Sequence, residues 1–216
     1  MDVDERPEPG EPKALLMDVG GVLTTNVFES FAAFSEAETG DPDSVRDMFA
    51  NDERAQRLLV EHECGRMAET EFSAGMADLL AERSGRTLDP VGLARRMLAL
   101  TQRDDAMVEA VTKIKQAGVP VAIVSNSMGD RGYESFDMTQ LADVIVISGE
   151  HGVRKPSRRL YQIACDGLGV PPPHCVMVDD VPRNLSGAAR LGIRGVHHTN
   201  AADTIAELHE LFGLEL

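Results

Sequence analysis

Three aspartates, a lysine and a serine stand where a parallel sheet would bring them together. Asp18 falls in the apolar run ALLMDV at residues 14–19, and Asp179 and Asp180 end CVMVDD at 175–180. Ser125 ends VPVAIVS and is followed by Asn126, while Lys155 lies in GVRKP, after the run DVIVIS at 143–148. A carboxylate at the lip of a buried strand must be paired or put to use, because burying a bare charge is expensive. Two adjacent carboxylates beside a third repel unless a cation sits among them, and hard oxygen ligands with open positions suit Mg²⁺. A metal, a lysine, a hydroxyl and backbone amides around one carboxylate form a phosphoryl-transfer arrangement. In it the carboxylate attacks phosphorus to give an acyl phosphate, and the cations neutralise the equatorial oxygens. Each residue also has a plainer reading. An Asp after a strand often caps a turn, Asp179 and Asp180 could serve a helix cap and an ion pair with Arg183, and Lys155 could be a solvated surface lysine.

The elements that would position these residues are legible as alternating patterns. The short β-rich runs already named, with IRGVHH at 193–198, alternate with helical segments at 105–117, 157–168, 185–192 and in ADTIAELHELF near the end. That alternation predicts an α/β fold, a doubly wound, Rossmann-like parallel sheet with helices on both faces, whose ligands bind at the carboxyl ends of the strands. Residues from about 27 to 101 show only helical spacing, as in Phe28, Phe31 and Phe34 and in Phe72, Met76, Leu79 and Leu80, with a helix start expected at Asp89–Pro90. This block reads as a helical cap inserted after the first strand. The expected division is a disordered leader at 1–12, an α/β core at 13–24 and 104–216, and a cap at 25–103. Met97, Met107 and Met128 read as core fillers.

A chain of 216 residues suits one large domain or a core with an insertion. Its net charge of −15 argues against nucleic acid or anionic membrane as partners, and means that a phosphorylated substrate needs local positive charge or a divalent cation. The first dozen residues lack the basic start and apolar stretch of a secretory signal, so a cytoplasmic protein is expected, a monomer or homodimer. Cys64, Cys165 and Cys175 share no metal-ligand spacing and read as reduced, buried thiols. Neighbouring residues on a strand point to opposite faces, so His197 and His198 read as structural rather than as a ligand pair.

MDVGGVL, AIVSNS, VRKP and MVDDVPRN, in that order, resemble the four motifs of the haloacid dehalogenase superfamily of hydrolases, over about residues 14 to 212. The helical block, with CGRMAETEF in its middle, resembles the α-helical cap of the members whose cap follows the first motif. Relatives of the N-terminal domain of soluble epoxide hydrolase and of bacterial sugar-phosphate phosphatases are similar in carrying two adjacent acids followed four residues later by Asn. The resemblance implies that Asp18 is the nucleophile, and that its second oxygen and the Gly20 carbonyl hold Mg²⁺. Asp180 would be a direct metal ligand, and Asp179 would act directly or through a metal-bound water. Asn184 would orient the acids. Ser125, Asn126 and Gly21 would bind the phosphoryl group, and Lys155 would pair with both Asp18 and the phosphate, keeping the nucleophile ionised.

Gly20 stands where most phosphatases of this resemblance carry a second Asp that protonates the leaving group, a contribution of about 10²–10⁴ in rate. The substrate is therefore expected to be a small phosphorylated metabolite with a good leaving group, or a cap residue (His62, Glu69 or Glu71) supplies the proton. The alternatives are a catalytically impaired phosphate-binding or scaffold protein and a carbon–halogen hydrolase. The dehalogenases of the superfamily carry a bulky aromatic two positions after the nucleophile and lack the acidic pair, so Gly20, Asp179 and Asp180 weigh against the latter.

Overall fold

The computed structural model describes residues 8–126 and 137–216. Met128 and residues 1–7 of the expected leader lie outside them. In chain order the elements are β1 (Ala14–Met17), α1 (Val27–Thr39), α2 (Ser44–Asn51), α3 (Glu53–Glu63), α4 (Glu69–Ser84), α5 (Leu93–Met97) and α6 (Asp105–Gln116). There follow β2 (Val121–Ser125), α7 (Met138–Leu141), β3 (Val144–Ile147), α8 (Ser148–His151), α9 (Arg158–Leu168), β4 (Cys175–Asp179), α10 (Pro182–Ala189), β5 (Arg194–His197) and α11 (Ala201–Phe212).

The five strands form one parallel sheet in the order β3-β2-β1-β4-β5. Strands covered on both faces must be apolar throughout, and β1, β2 and β4 are buried at every position. Alternate residues serve opposite faces. Leu15 and Met17 join Val108, Val111 and Leu208 of α6 and α11, whereas Ala14 and Leu16 join Leu160, Ala164 and Ala188 of α9 and α10. Among the described residues no helix is long and apolar enough to cross a membrane.

The block α1–α5 has a separate apolar cluster that includes Phe34, Val45, Phe72, Met76, Leu80 and Leu93. The chain leaves and rejoins the sheet at a narrow stem, where Thr24 bridges Arg103 antiparallel, Thr25 N donates to Gln102 O at 2.7 Å and Asp104 N donates to Leu23 O at 2.9 Å. Ser30 Oγ reinforces the base of the block, donating to Met97 O at 2.8 Å and accepting from Leu100 N at 3.1 Å.

Several boundaries differ from expectation. Asp89 does cap the backbone, accepting from Val91 N at 2.9 Å, but that turn precedes the helix, and α5 starts at Leu93 after the left-handed Gly92. Helix α10 starts at Pro182 rather than near residue 185, because a proline suits the first helical position, and this brings Asn184 into the helix's first turn. Residues 8–12, assigned to the leader, are tethered beside β4. Gly10 N donates to Pro173 O at 2.6 Å, and His174 Nδ1 donates to Glu11 O at 3.0 Å. The three cysteines are free and buried, as are Met97 and Met107.

Candidate active site

Register alone places the acids. Met17 pairs with Val178, so Asp18 and Asp179 leave adjacent strands side by side at the carboxyl edge, and the Asp18 amide continues the ladder by donating to Val178 O at 3.0 Å. On the other side of β1, Met17 pairs with Ile123, which puts Ser125 at the same edge. One oxygen each of Asp18, Asp179 and Asp180 lie within 4.8 Å of one another. Gly21, at φ +73°, makes the approach of Asp180 possible, since a Cβ there would stand 2.3 Å from Asp180 Oδ2. Its amide donates to Thr24 Oγ1 at 3.0 Å, a contact within the turn that follows β1.

Lys155 is the counter-charge. Its Nζ lies 2.7 Å from Asp18 Oδ2 and 2.8 Å from Asp179 Oδ2, and the residue is 1% exposed. A buried lysine is stable only with such partners. Burial pulls its ammonium towards deprotonation, but Asp18 and Asp179 outweigh that and hold it above its ordinary value. Burial pushes the Asp18 carboxyl up to about 8, with Lys155 opposing and Asp179 and Asp180 adding to the rise. Asp180 is pushed up to about 6, first by burial and then by Asp179. Three carboxylates facing one ammonium leave an excess of negative charge and hard oxygen donors, a set that fits a divalent cation.

The two neighbouring aspartates differ in what they have left to offer. Asp179 Oδ1 accepts from Val181 N and Asn184 Nδ2, both at 2.9 Å, and its Oδ2 accepts from Lys155 Nζ and from Asn184 Nδ2 at 3.1 Å. Those contacts engage both oxygens of Asp179, with the Asn184 amide shared between them. Asp180 lies partly exposed at the edge. Asn184 is fixed in turn, its carbonyl accepting from the buried Tyr161 Oη at 2.8 Å.

Asn126 has a part that its motif position did not suggest. Its Oδ1 accepts from Lys155 N at 2.8 Å and its Nδ2 donates to Lys155 O at 3.4 Å, bracing the lysine's backbone. A carboxamide next to the end of β2, complementary to a peptide unit, was the available signal. His197 Nε2 donates to Asp180 O at 3.1 Å and His198 Nδ1 pairs with Thr204 Oγ1 at 3.0 Å, which are structural roles. Of the residues considered as proton sources, His62 is buried against Phe72 with ring centroids 4.5 Å apart. Glu71 accepts from Ala68 N at 3.2 Å and so closes the first turn of α4, and Glu69 is half-buried beside it.

Residues 12–192 match the family described as haloacid dehalogenase-like hydrolase. Validoxylamine A 7'-phosphate phosphatase of Streptomyces hygroscopicus subsp. limoneus is 30% identical over 146 residues, 61% of this chain and 67% of the phosphatase. (S)-2-haloacid dehalogenase 4A of Burkholderia cepacia is 32% identical over 50% of this chain and 49% of its own length. The aligned part spans 11% of another relative, mouse acyl-CoA dehydrogenase family member 10. A HAD family enzyme from Bacteroides thetaiotaomicron shares the fold at a TM-score of 0.70 and 18% identity, covering 94% of this chain and 99% of that one. A structure of that enzyme in complex with magnesium and inorganic phosphate aligns at a TM-score of 0.61 and 19% identity, over 86% of this chain and 93% of that one.

Proposed function

The chain belongs to the haloacid dehalogenase-like hydrolase family, and we propose that within it this protein is a Mg²⁺-dependent phosphatase acting on a small phosphorylated metabolite through an aspartyl-phosphate at Asp18. The observation that carries this reading is the meeting of Asp18, Asp179 and Asp180 at one point, with the Lys155 ammonium bridging Asp18 and Asp179. We read residues 25–103 as a cap over a core of 13–24 and 104–216, which would limit the site to small substrates. A phosphatase relative favours phosphoryl transfer, while the dehalogenase relative makes halide release the comparison to run.

Asp18, Asp180 and the Gly20 carbonyl are the residues that would hold Mg²⁺ directly. Asp179, its oxygens already engaged by Val181, Asn184 and Lys155, would reach the ion through a water. Bound there, Mg²⁺ would neutralise phosphoryl oxygens and favour the ionised form of Asp18. The rest belongs to the chain's own groups. Lys155 and Ser125 hold the phosphoryl oxygens in line with Asp18. An Asp18 oxygen forms a bond to phosphorus as the bond to the leaving oxygen breaks. Water then attacks phosphorus, inorganic phosphate departs and the carboxylate is restored. With no side chain at Gly20 to donate a proton, leaving groups that depart as stable anions are favoured.

The test is hydrolysis of an aryl phosphate with Mg²⁺ and after EDTA treatment, beside halide release from a 2-haloacid. Phosphate release that EDTA abolishes, with no halide released, is expected. Full activity in a demetallated sample would discard the metal role of Asp180, and halide release would favour the dehalogenase.

A further inference from the structure

We propose that Glu63, at the end of α3, is a positioning residue for Lys155 and acts through Arg154, so that turnover depends on the helical block gripping the loop that carries the lysine. This rests on the reading of Asp18 and Lys155 as the phosphoryl-transfer pair. Glu63 is a buried carboxylate outside the acid cluster, and its Oε2 lies 2.6 Å from Arg154 Nε. Arg154 precedes Lys155 directly. The turn ending α3 holds the same loop at further points. Ser148 Oγ donates to Glu63 O, Arg66 Nη1 donates to Gly152 O at 3.1 Å, and Gly65 packs so closely that a Cβ there would stand 2.2 Å from Gly149 O.

The lysine's loop is therefore held from two directions, by Asn126 on the sheet side and by residues 63–66 on the block side. Ser148 Oγ and Arg66 Nη1, each donating to a backbone carbonyl of the other segment, and the close packing of Gly65 already join the two segments. The Glu63 carboxylate adds a charge contact for the Arg154 guanidinium, close but not aligned as a hydrogen bond, one residue from an ammonium that must stay between Asp18 and Asp179. An ion pair with one partner buried and the other half-buried is a poor way to gain stability, since replacing both partners together by apolar residues of similar volume is often as stable, whereas removing one alone strands the other charge. Positioning gives the pair a reason to be there, because a misplacement of about 1 Å can cost about 10²-fold in rate.

The experiment compares Glu63→Gln, Arg154→Gln, the double variant and Arg154→Lys at pH 8, by aryl phosphate kinetics with Mg²⁺, thermal melting, and the NMR signal of the Lys155 ammonium. Each Gln variant is expected to lose roughly tenfold or more in kcat with KM little changed, and the double variant no more than the worse single one. Arg154→Lys, which keeps a cation facing Glu63, should recover most of the loss; melting should fall most in Arg154→Gln, which strands the buried Glu63 carboxylate, and less in Glu63→Gln and the double variant. The ammonium signal should shift in both Gln variants, a readout that holds whether or not the protein turns over. Unchanged kcat and an unchanged ammonium signal in Glu63→Gln would overturn the proposal, as would losses that multiply in the double variant. An inactive wild type would instead count against the phosphatase reading, leaving the ammonium signal to decide the positioning role.

Discussion

Gly20 is the residue at which this site departs from its relatives by resemblance, and its surroundings leave room for a side chain. A Cβ there would meet Val27 Cγ1 at 3.4 Å, and Gly20 is not among the glycines with positive φ. Gly20→Asp should therefore fold, and should raise turnover on alkyl phosphates, whose leaving groups need a proton, by up to about 10²-fold more than on aryl phosphates. Equal changes on the two substrate classes would contradict this account of the missing acid. Glu63 gives a pH prediction of definite sign. Burial pushes its carboxyl up to about 7, with Arg154 and then Lys155 opposing. The folded protein thus binds this proton more tightly than the unfolded chain does. The associated stability is fully present below about pH 4.5 and is lost as pH rises through about 7. Glu63→Gln removes that loss, so its stability relative to wild type should rise between pH 5 and 8, by an order of 2–3 kcal/mol. Urea unfolding at the two pH values reads it, and a relative stability that is flat or falling with pH would contradict it.

At the scale of elements, α10 packs against the loop of Lys155. A Cβ at Gly187 would stand 2.5 Å from Pro156 O, so only glycine permits the approach. Gly187→Ala should cost about 1–3 kcal/mol by overpacking and should lower turnover as well, since the displaced backbone carries the lysine. Denaturant midpoints and kcat together test this, and an unaltered kcat would show that the loop absorbs the shift away from Lys155. The sheet and its polar strand ends were legible because each is a local pattern, an apolar run closed by Asp18, Ser125 or Asp179. The four-residue helices α7 and α8 were not, being too short to show a period. Nor were the contacts of Glu63 with Arg154 and of Asn126 with Lys155. They join segments distant in sequence, and no periodicity encodes how a helical block docks on a loop. Asp179 shows the same limit. Its position in the motif does not reveal that its oxygens also meet Val181, Asn184 and Lys155, contacts that depend on how β4, α10 and the lysine loop pack.

Across the whole molecule, one parallel sheet and one block with a separate apolar core meet at a stem near Thr24 and Arg103 and at the clasp of residues 63–66 on the loop before Lys155. With a net charge of −15, the surface would do little to attract a phosphorylated substrate, so on the proposed reading binding would fall to Lys155 and to the cation that the acids fit. On the proposed mechanism, Asp18 carries the phosphoryl group during turnover. The most direct measurement of that step is a rapid acid quench of the protein turning over an aryl phosphate in Mg²⁺, followed by mass spectrometry of the peptide containing Asp18. One added phosphoryl group on that peptide is predicted, absent after EDTA treatment and absent in Asp18→Asn, which should also lose at least about three orders of magnitude in kcat. Rapid turnover by Asp18→Asn, with no phosphoryl group ever found at residue 18 of the wild type, would contradict it.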